Sequence, residues 1–272
     1  MPEVTTDTLN PPEVEEDRMS SMSFLEHLEE LRKRIFHALV AVGCGMGVCW
    51  WYHEALFGFM QRPIVDVLRR NGLPEKLVYM TPVEPFNLYL KVSALAGLFV
   101  TSPYVLYQVW LFISPGLYRR EKRYAAPFMA SSIFLFVAGG YFGYRVVYPA
   151  ALDFFIGRMG TQFTAMINIH EYSDLFLTVI LGLGLVFEMP ILIFFLALMG
   201  VVSAGWMWRN IRYAILGIFI IAGALAPTPD ISSMVIFAAP MLALYVLSIG
   251  IAWFVHPTQR KAREAKKAKS RA

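Results

Sequence analysis

From residue 35 to residue 255 the chain alternates long apolar runs with short polar breaks, and no run keeps the one-sided pattern of a water-facing helix. A helix crossing the roughly 30 Å hydrocarbon layer needs about 20 apolar residues. Runs of that order occupy residues 35–56, 91–113, 124–148, 175–199 and 232–255. A sixth, 211–226, has an uncharged core of 213–226 only, short of the usual span. Without a crossing there the flanking basic segments would face opposite sides. The short run is therefore expected to cross, thinning the bilayer or packing against protein. The pattern predicts an all-α polytopic membrane protein with six spans. No fixed-period repeat is evident, and the two halves show no clear mutual resemblance.

The breaks set the orientation. Arg32, Lys33 and Arg34 precede the first span; Arg119, Arg120, Lys122 and Arg123 join the second and third; Arg209 and Arg212 join the fourth and fifth. With six spans these share one side with the basic tail of residues 256–272, and the positive-inside rule makes that side cytoplasmic. Both termini are then cytoplasmic. The tail itself reads as an anionic-lipid contact. Trp50, Trp51 and Tyr52 supply interfacial rings at the outer end of the first span. Residues 57–90 hold Pro63, Pro74, Pro82 and Pro85 with charges of both signs, so short helices capping the outer face are expected. Residues 1–22, rich in Glu, Pro and Thr, read as a disordered acidic tail rather than a cleavable leader.

Composition agrees and excludes several chemistries. The chain is 57% hydrophobic and 16% charged, against about a quarter charged in soluble domains. Cys44 and Cys49 fit neither a CxxC redox pair nor a metal site, and the five histidines show no HExxH or ExxH spacing. No GxxxxGK[ST] loop is present. Neither an enzyme nor a cofactor or metal site is expected.

Candidate chemistry lies in three places. The segment SFLEHLEELRKRIF, residues 23–36, opens with a capping box, Ser23 and Glu26, and places Phe24, Leu28, Leu31 and Ile35 on one stripe. Its acids precede its bases, so Glu29–Lys33 and Glu30–Arg34 pairs at i,i+4 account for the charges as plain helix stabilisers, worth a few tenths of a kcal/mol each. The basic loop at residues 114–123 holds Glu121 beside Pro115 and Gly116, which on its own reads as a solvated positive-inside loop. Taken together, acids at one membrane surface suit bidentate binding of guanidinium groups. Third, Glu188 falls within the fourth span, where a charge costs at least about 3 kcal/mol. Such an acid marks a functional site; the alternative is a protonated Glu bonded to a neighbouring helix. Pro190 follows and frees a backbone carbonyl. Gly43–Gly47 and Gly139–Gly143 match GxxxG packing.

These residues resemble the TatC family, the receptor subunit of the twin-arginine protein translocase. The likeness is carried by LEELRKR at 28–34, SPYVLYQVWLFISPGLYRREKR at 102–123, FEMP at 187–190 and APTPD at 226–230, in the family's order. It covers residues 23–255. The resemblance implies a non-enzymatic receptor in a concave six-span bundle of the bacterial inner membrane. It implies binding of the paired arginines of signal peptides on folded precursors, through Glu30 and Glu121. Phe112, Gln108, Pro115, Leu117 and Arg123 would complete that surface. Glu188 would meet single-span TatA- or TatB-type partners, and Pro63, Phe86 and Asp230 would belong to the outer cap and turn. Other copies of the chain and membrane lipids are further implied partners, nucleic acid is not, and transport would draw on the proton-motive force. Two departures stand out: Glu29 beside Glu30 offers a bound arginine a second carboxylate, and Met234 replaces a polar residue found in some members. The rival reading is a proton-coupled secondary transporter using Glu188.

Overall fold

The computed structural model describes residues 24–113, 125–160, 166–226, 228 and 230–255. Among them the chain is helical, and the one β-bridge pairs Val78 with Asn168. The order is α1 (Phe24–Trp50), α2 (His53–Arg70), α3 (Glu84–Ile113), α4 (Ala125–Phe142), α5 (Tyr148–Leu152), α6 (Ile169–Val186), α7 (Met189–Leu198), α8 (Ala204–Arg209), α9 (Ile211–Leu225) and α10 (Ile231–Val255). Two π-helical stretches, Gly143–Val147 and Asp153–Met159, flank α5 and keep residues 127–158 as one long rod. Pro149 removes a backbone donor between them, and the helix widens on both sides.

Among the described residues four helices are individually long and apolar enough to cross a membrane: Glu84–Phe112, Pro127–Arg158, Ile169–Leu198 and Ile231–Phe254. Helix α1 passes that test only jointly with α2, and α9 is apolar but shorter. Phe36, Leu39 and Val48 on α1, Phe134 on α4 and Ile220 on α9 are all exposed, as expected where the solvent is lipid. The protein is a multi-pass membrane protein.

Helix α1 packs chiefly on α3, and two glycines set that crossing. A Cβ on Gly97 would sit 2.5 Å from the Met46 nitrogen, and one on Gly45 would sit 2.6 Å from Thr101 Cγ2. The predicted Gly43–Gly47 pair is not the contact, since a Cβ at either meets nothing within 4 Å. The helix turns Gly45, not its neighbours two residues away, toward α3. Gly139–Gly143 does pack as expected: added Cβ atoms would reach the Leu183 carbonyl at 2.7 Å and Leu183 Cδ1 at 3.3 Å.

The face where α1 begins and α3 ends is called here the near face, and the opposite one the far face. At the far end α1 stops at Trp50 and the chain turns by 89° into α2. Amides of Trp51 and Tyr52 close back on Val48 and Cys49, and Trp50 stacks on His53 with centroids 5.2 Å apart. Residues 53–56, placed by the pattern in the first span, therefore start α2. The expected short cap helices are one 18-residue helix that runs through Pro63.

Proline in a helix interior robs the carbonyl four residues earlier of its donor. For Pro63 that carbonyl is Phe59's, and the Tyr144 hydroxyl, from the far end of the third span, donates to it at 2.9 Å. Pro103 in α3 is treated alike: the Ser102 hydroxyl donates to the Phe99 carbonyl at 2.7 Å. The Tyr172 hydroxyl donates to the adjacent Met60 carbonyl at 2.6 Å, so two tyrosines clamp α2 across the helix tops. Met60, Ile64, Val67 and Leu68 of α2 are buried against Tyr148, Tyr172 and Phe176. Backbone bonds from Val78 to Ile167 and from Ile169 to Val78, each 2.9 Å, and the Lys91–Asp174 ion pair close the far side.

Candidate functional site

The near-face site grows from the i,i+4 spacing on α1. Glu30 accepts from Arg34 Nη2 at 3.1 Å, and Arg34 Nη1 reaches Gln108 Oε1 on α3 at 3.4 Å. The Glu30 side chain is 16% exposed; its Oε2 and the Arg34 Nε are buried with no partner among the described residues. His27 stacks on Phe112 with centroids 4.4 Å apart, fastening the start of α1 to the end of α3. Glu30, Gln108 and Phe112 are thus brought together. Among the described residues Glu29 and Lys33 form no ion pair, so the second predicted pair is not made and Glu29 faces outward. A groove of about 450 Å³, lined by Phe36, His37, Val40, Ala41 and Tyr104, lies along the same α1–α3 seam. Pro115, Leu117, Glu121 and Arg123 lie outside the described residues, as do Ser23 of the capping box and the two tails.

Glu188 sits where α6 breaks. Pro190 cannot donate to the Val186 carbonyl, so the helix ends at Val186 and α7 restarts after Glu188, whose carbonyl accepts from Leu192 at 3.0 Å. One carboxyl oxygen of Glu188 bonds the Ser132 hydroxyl of α4, and Oε1 is buried without a partner among the described residues. Sequence reasoning missed Ser132, one of two adjacent hydroxyls in an apolar helix; Ser131 turns instead to its own helix, bonding the Pro127 carbonyl at 2.8 Å. It also missed His27.

The far-face residues are structural in their contacts. Pro63 is buried in α2, and Phe86 sets its ring edge-on to Trp50 at 5.7 Å. Asp230 caps α10: Oδ2 accepts the Ser233 amide at 2.9 Å, and Oδ1 accepts the hydroxyls of Ser233, at 2.6 Å, and Thr228. The Ser233 and Thr228 hydroxyls, then the amide, hold its carboxyl down at about 2.

Fold and site together define a polytopic α-helical membrane protein with the partly satisfied Glu30 carboxylate at one face and Glu188 at the break within an apolar span. The family model for the Sec-independent protein translocase protein (TatC) matches residues 26–240, and the chain belongs to that family. The chain is 61% identical over 269 residues to the Sec-independent protein translocase protein TatC of Koribacter versatilis (strain Ellin345), covering 98% of this chain and 99% of that one. It is 34% identical over 267 residues to the chloroplastic relative from Arabidopsis thaliana, covering 92% and 76%. A crystal structure of the twin arginine translocase receptor TatC superimposes with a TM-score of 0.75 at 33% identity, covering 84% of this chain and 98% of that one.

Proposed function

We infer that this chain is the receptor and core component of a twin-arginine translocase in a bacterial inner membrane. In this reading it crosses six times as a cupped bundle, with both termini cytoplasmic and α2 on the outer face. It binds the paired arginines of signal peptides on folded precursors and nucleates assembly with single-span TatA- and TatB-type proteins. Transport is driven by the proton-motive force rather than by chemistry on this chain.

The observation that carries the reading is the half-satisfied Glu30. A buried carboxylate oxygen without a donor is costly, and a peptide guanidinium, a planar fork of donors, satisfies it. Arg34 already holds Oε1, and its own link to Gln108 is long at 3.4 Å, so an incoming arginine can share the carboxylate or displace Arg34. Glu121 supplies the second carboxylate, with Phe112 and Leu117 in apolar contact and Gln108, Pro115 and Arg123 around them. Lysines bring charge but no fork, so Arg-Arg is preferred to Lys-Lys. Glu188, with one oxygen on Ser132 and the other buried without a donor among the described residues, is the partner contact within the bilayer; Pro63, Phe86 and Asp230 hold the outer cap and turn in shape.

The test is site-specific crosslinking of Arg-Arg and Lys-Lys signal peptides to the full chain in membranes. Glu30→Ala and Glu121→Ala are each expected to reduce Arg-Arg crosslinking to the Lys-Lys level, with membrane insertion unchanged. Unaltered crosslinking in both variants overturns the assignment.

A further inference from the structure

The far face carries a charged cavity that the receptor reading does not use. It encloses about 440 Å³ between α2 and the end of the rod of residues 127–158, the third rod after α1 and α3, lined by Phe59, Arg62, Asp66, Arg70, Tyr141 and Arg145 among others. Three guanidinium groups face one carboxylate there, and none of the four forms an ion pair among the described residues. Arg69, next to Arg70, behaves differently: it turns out of the cavity and pairs with Glu75 at 2.9 and 3.0 Å. The Arg62 guanidinium lies over the Phe59 ring, 5.9 Å from its centroid, which holds it at the cavity wall.

Depth identifies the occupant. Arg145 lies about 27 Å along the rod from Pro127, at about 1.5 Å per residue, close to the far limit of a roughly 30 Å hydrocarbon layer. Trp51 and Tyr52, strongly exposed at the α1–α2 elbow, mark the same interface. This is headgroup level, where the anion at hand is a lipid phosphate. A second, apolar cavity of about 290 Å³ adjoins the first and shares Phe59, Tyr141 and Tyr144 with it. Its walls, Val92, Leu95, Ala96, Phe99, Val137 and Gly140, descend from the shared aromatics into the membrane layer. Val137 is about 12 Å deeper than Arg145 along the helix axis. A basic mouth opening into an apolar slot fits a diacyl phospholipid better than a free phosphate, which has no use for the slot, or an acidic peptide, which would not enter it.

The geometry points to a specific binding site for an anionic phospholipid of the far leaflet, its phosphate held by Arg62, Arg70 and Arg145 and one acyl chain seated between α2, α3 and the third rod. The bound lipid neutralises the excess positive charge of the cavity and pins the long arm of α2 against the bundle. This goes beyond signal-peptide recognition and stands or falls independently of it.

The experiment uses the full chain, delipidated in a neutral detergent, with retained lipid read by native mass spectrometry against equimolar phosphatidylglycerol and phosphatidylcholine. Wild-type protein is expected to retain phosphatidylglycerol about tenfold better, and Arg62→Ala/Arg145→Ala to lose that preference. Arg69→Gln, outside the cavity, is expected to keep it. Val137→Trp, which fills the slot, is expected to weaken phosphatidylglycerol, while inorganic phosphate at matched concentration fails to displace the lipid. Equal retention of the two lipids by wild-type protein, or displacement by inorganic phosphate, overturns the proposal without recourse to any variant. Loss of preference in Arg69→Gln to the same extent as in the double variant overturns it too, by showing bulk charge to be the cause.

Discussion

Replacing Tyr144 by Phe removes one oxygen and tests how α2 survives the proline at its centre. The ring stays, with its stacking on Phe59 at 4.3 Å and 14° between planes, so the change isolates the hydroxyl. What is lost is the 2.9 Å bond to the one carbonyl of α2 that Pro63 deprives of a helical donor. A lost hydrogen bond of this kind costs about 1 kcal/mol, rising toward 3 kcal/mol if the carbonyl is left dry. For a domain of this size that is a fall of about 2–4 °C per kcal/mol in the unfolding midpoint. The informative arm is a double-mutant cycle in detergent with Pro63→Ala, which restores an N–H four residues after Phe59. In that background Tyr144→Phe should cost less than half as much, a coupling of about 0.5–1 kcal/mol. Unfolding is followed by tryptophan fluorescence during a thermal ramp. If Tyr144→Phe costs the same with Pro63 and with Ala at that position, the hydroxyl is not serving the proline's carbonyl and the account of α2 is wrong.

Two further outcomes are expected. Gly97→Ala drives a methyl to 2.5 Å from the Met46 backbone nitrogen, so α1 and α3 must separate by about 1 Å at a cost of about 1–3 kcal/mol, while Gly47→Ala, with nothing within 4 Å, costs nothing; equal midpoints for the two variants would refute the glycine crossing. Asp230, depressed from the ordinary 3.8 to about 2, contributes its capping fully above about pH 4 and loses it as the pH falls toward 2. The protection factors of the amides at residues 231–234, corrected for the intrinsic exchange rate at each pH, should fall across that window in wild-type protein but stay level in Asp230→Asn, and parallel profiles in the two would dismiss the cap.

The near-face pair was legible because i,i+4 spacing is local: Glu30 and Arg34 meet as the helix dictates. The apolar runs of α3, α6, α7 and α10 were legible for the same reason, since the length of a run is all that a bilayer asks. Gln108 and Phe112 emerged only through the family likeness. Their link to Arg34 and His27 depends on how α1 lies on α3, which Gly45 and Gly97 decide from 52 positions apart. The elbow at Trp51 had no Gly or Pro to announce it. Pro63 signalled a broken segment because its remedy, Tyr144, bonds a carbonyl 85 residues away. Glu188 was visible as a misplaced acid, but Ser132, its partner 56 residues earlier, looked like any small residue in an apolar helix.

The short α9 has a consequence for the lipid itself. Its 15 residues rise about 22 Å, and Leu225 at its far end already meets Gly182, midway along the span of residues 169–198. In the six-span reading proposed above, α9 crosses, the hydrocarbon along this edge shrinks by about 8 Å, and each ångström of such mismatch costs a fraction of a kcal/mol. A dent in a membrane is an elastic object, and two dents that meet become one. The bilayer therefore draws thin edges together before any side chain touches, so the lipid acts as a weak adhesive between this edge and any equally short helix beside it.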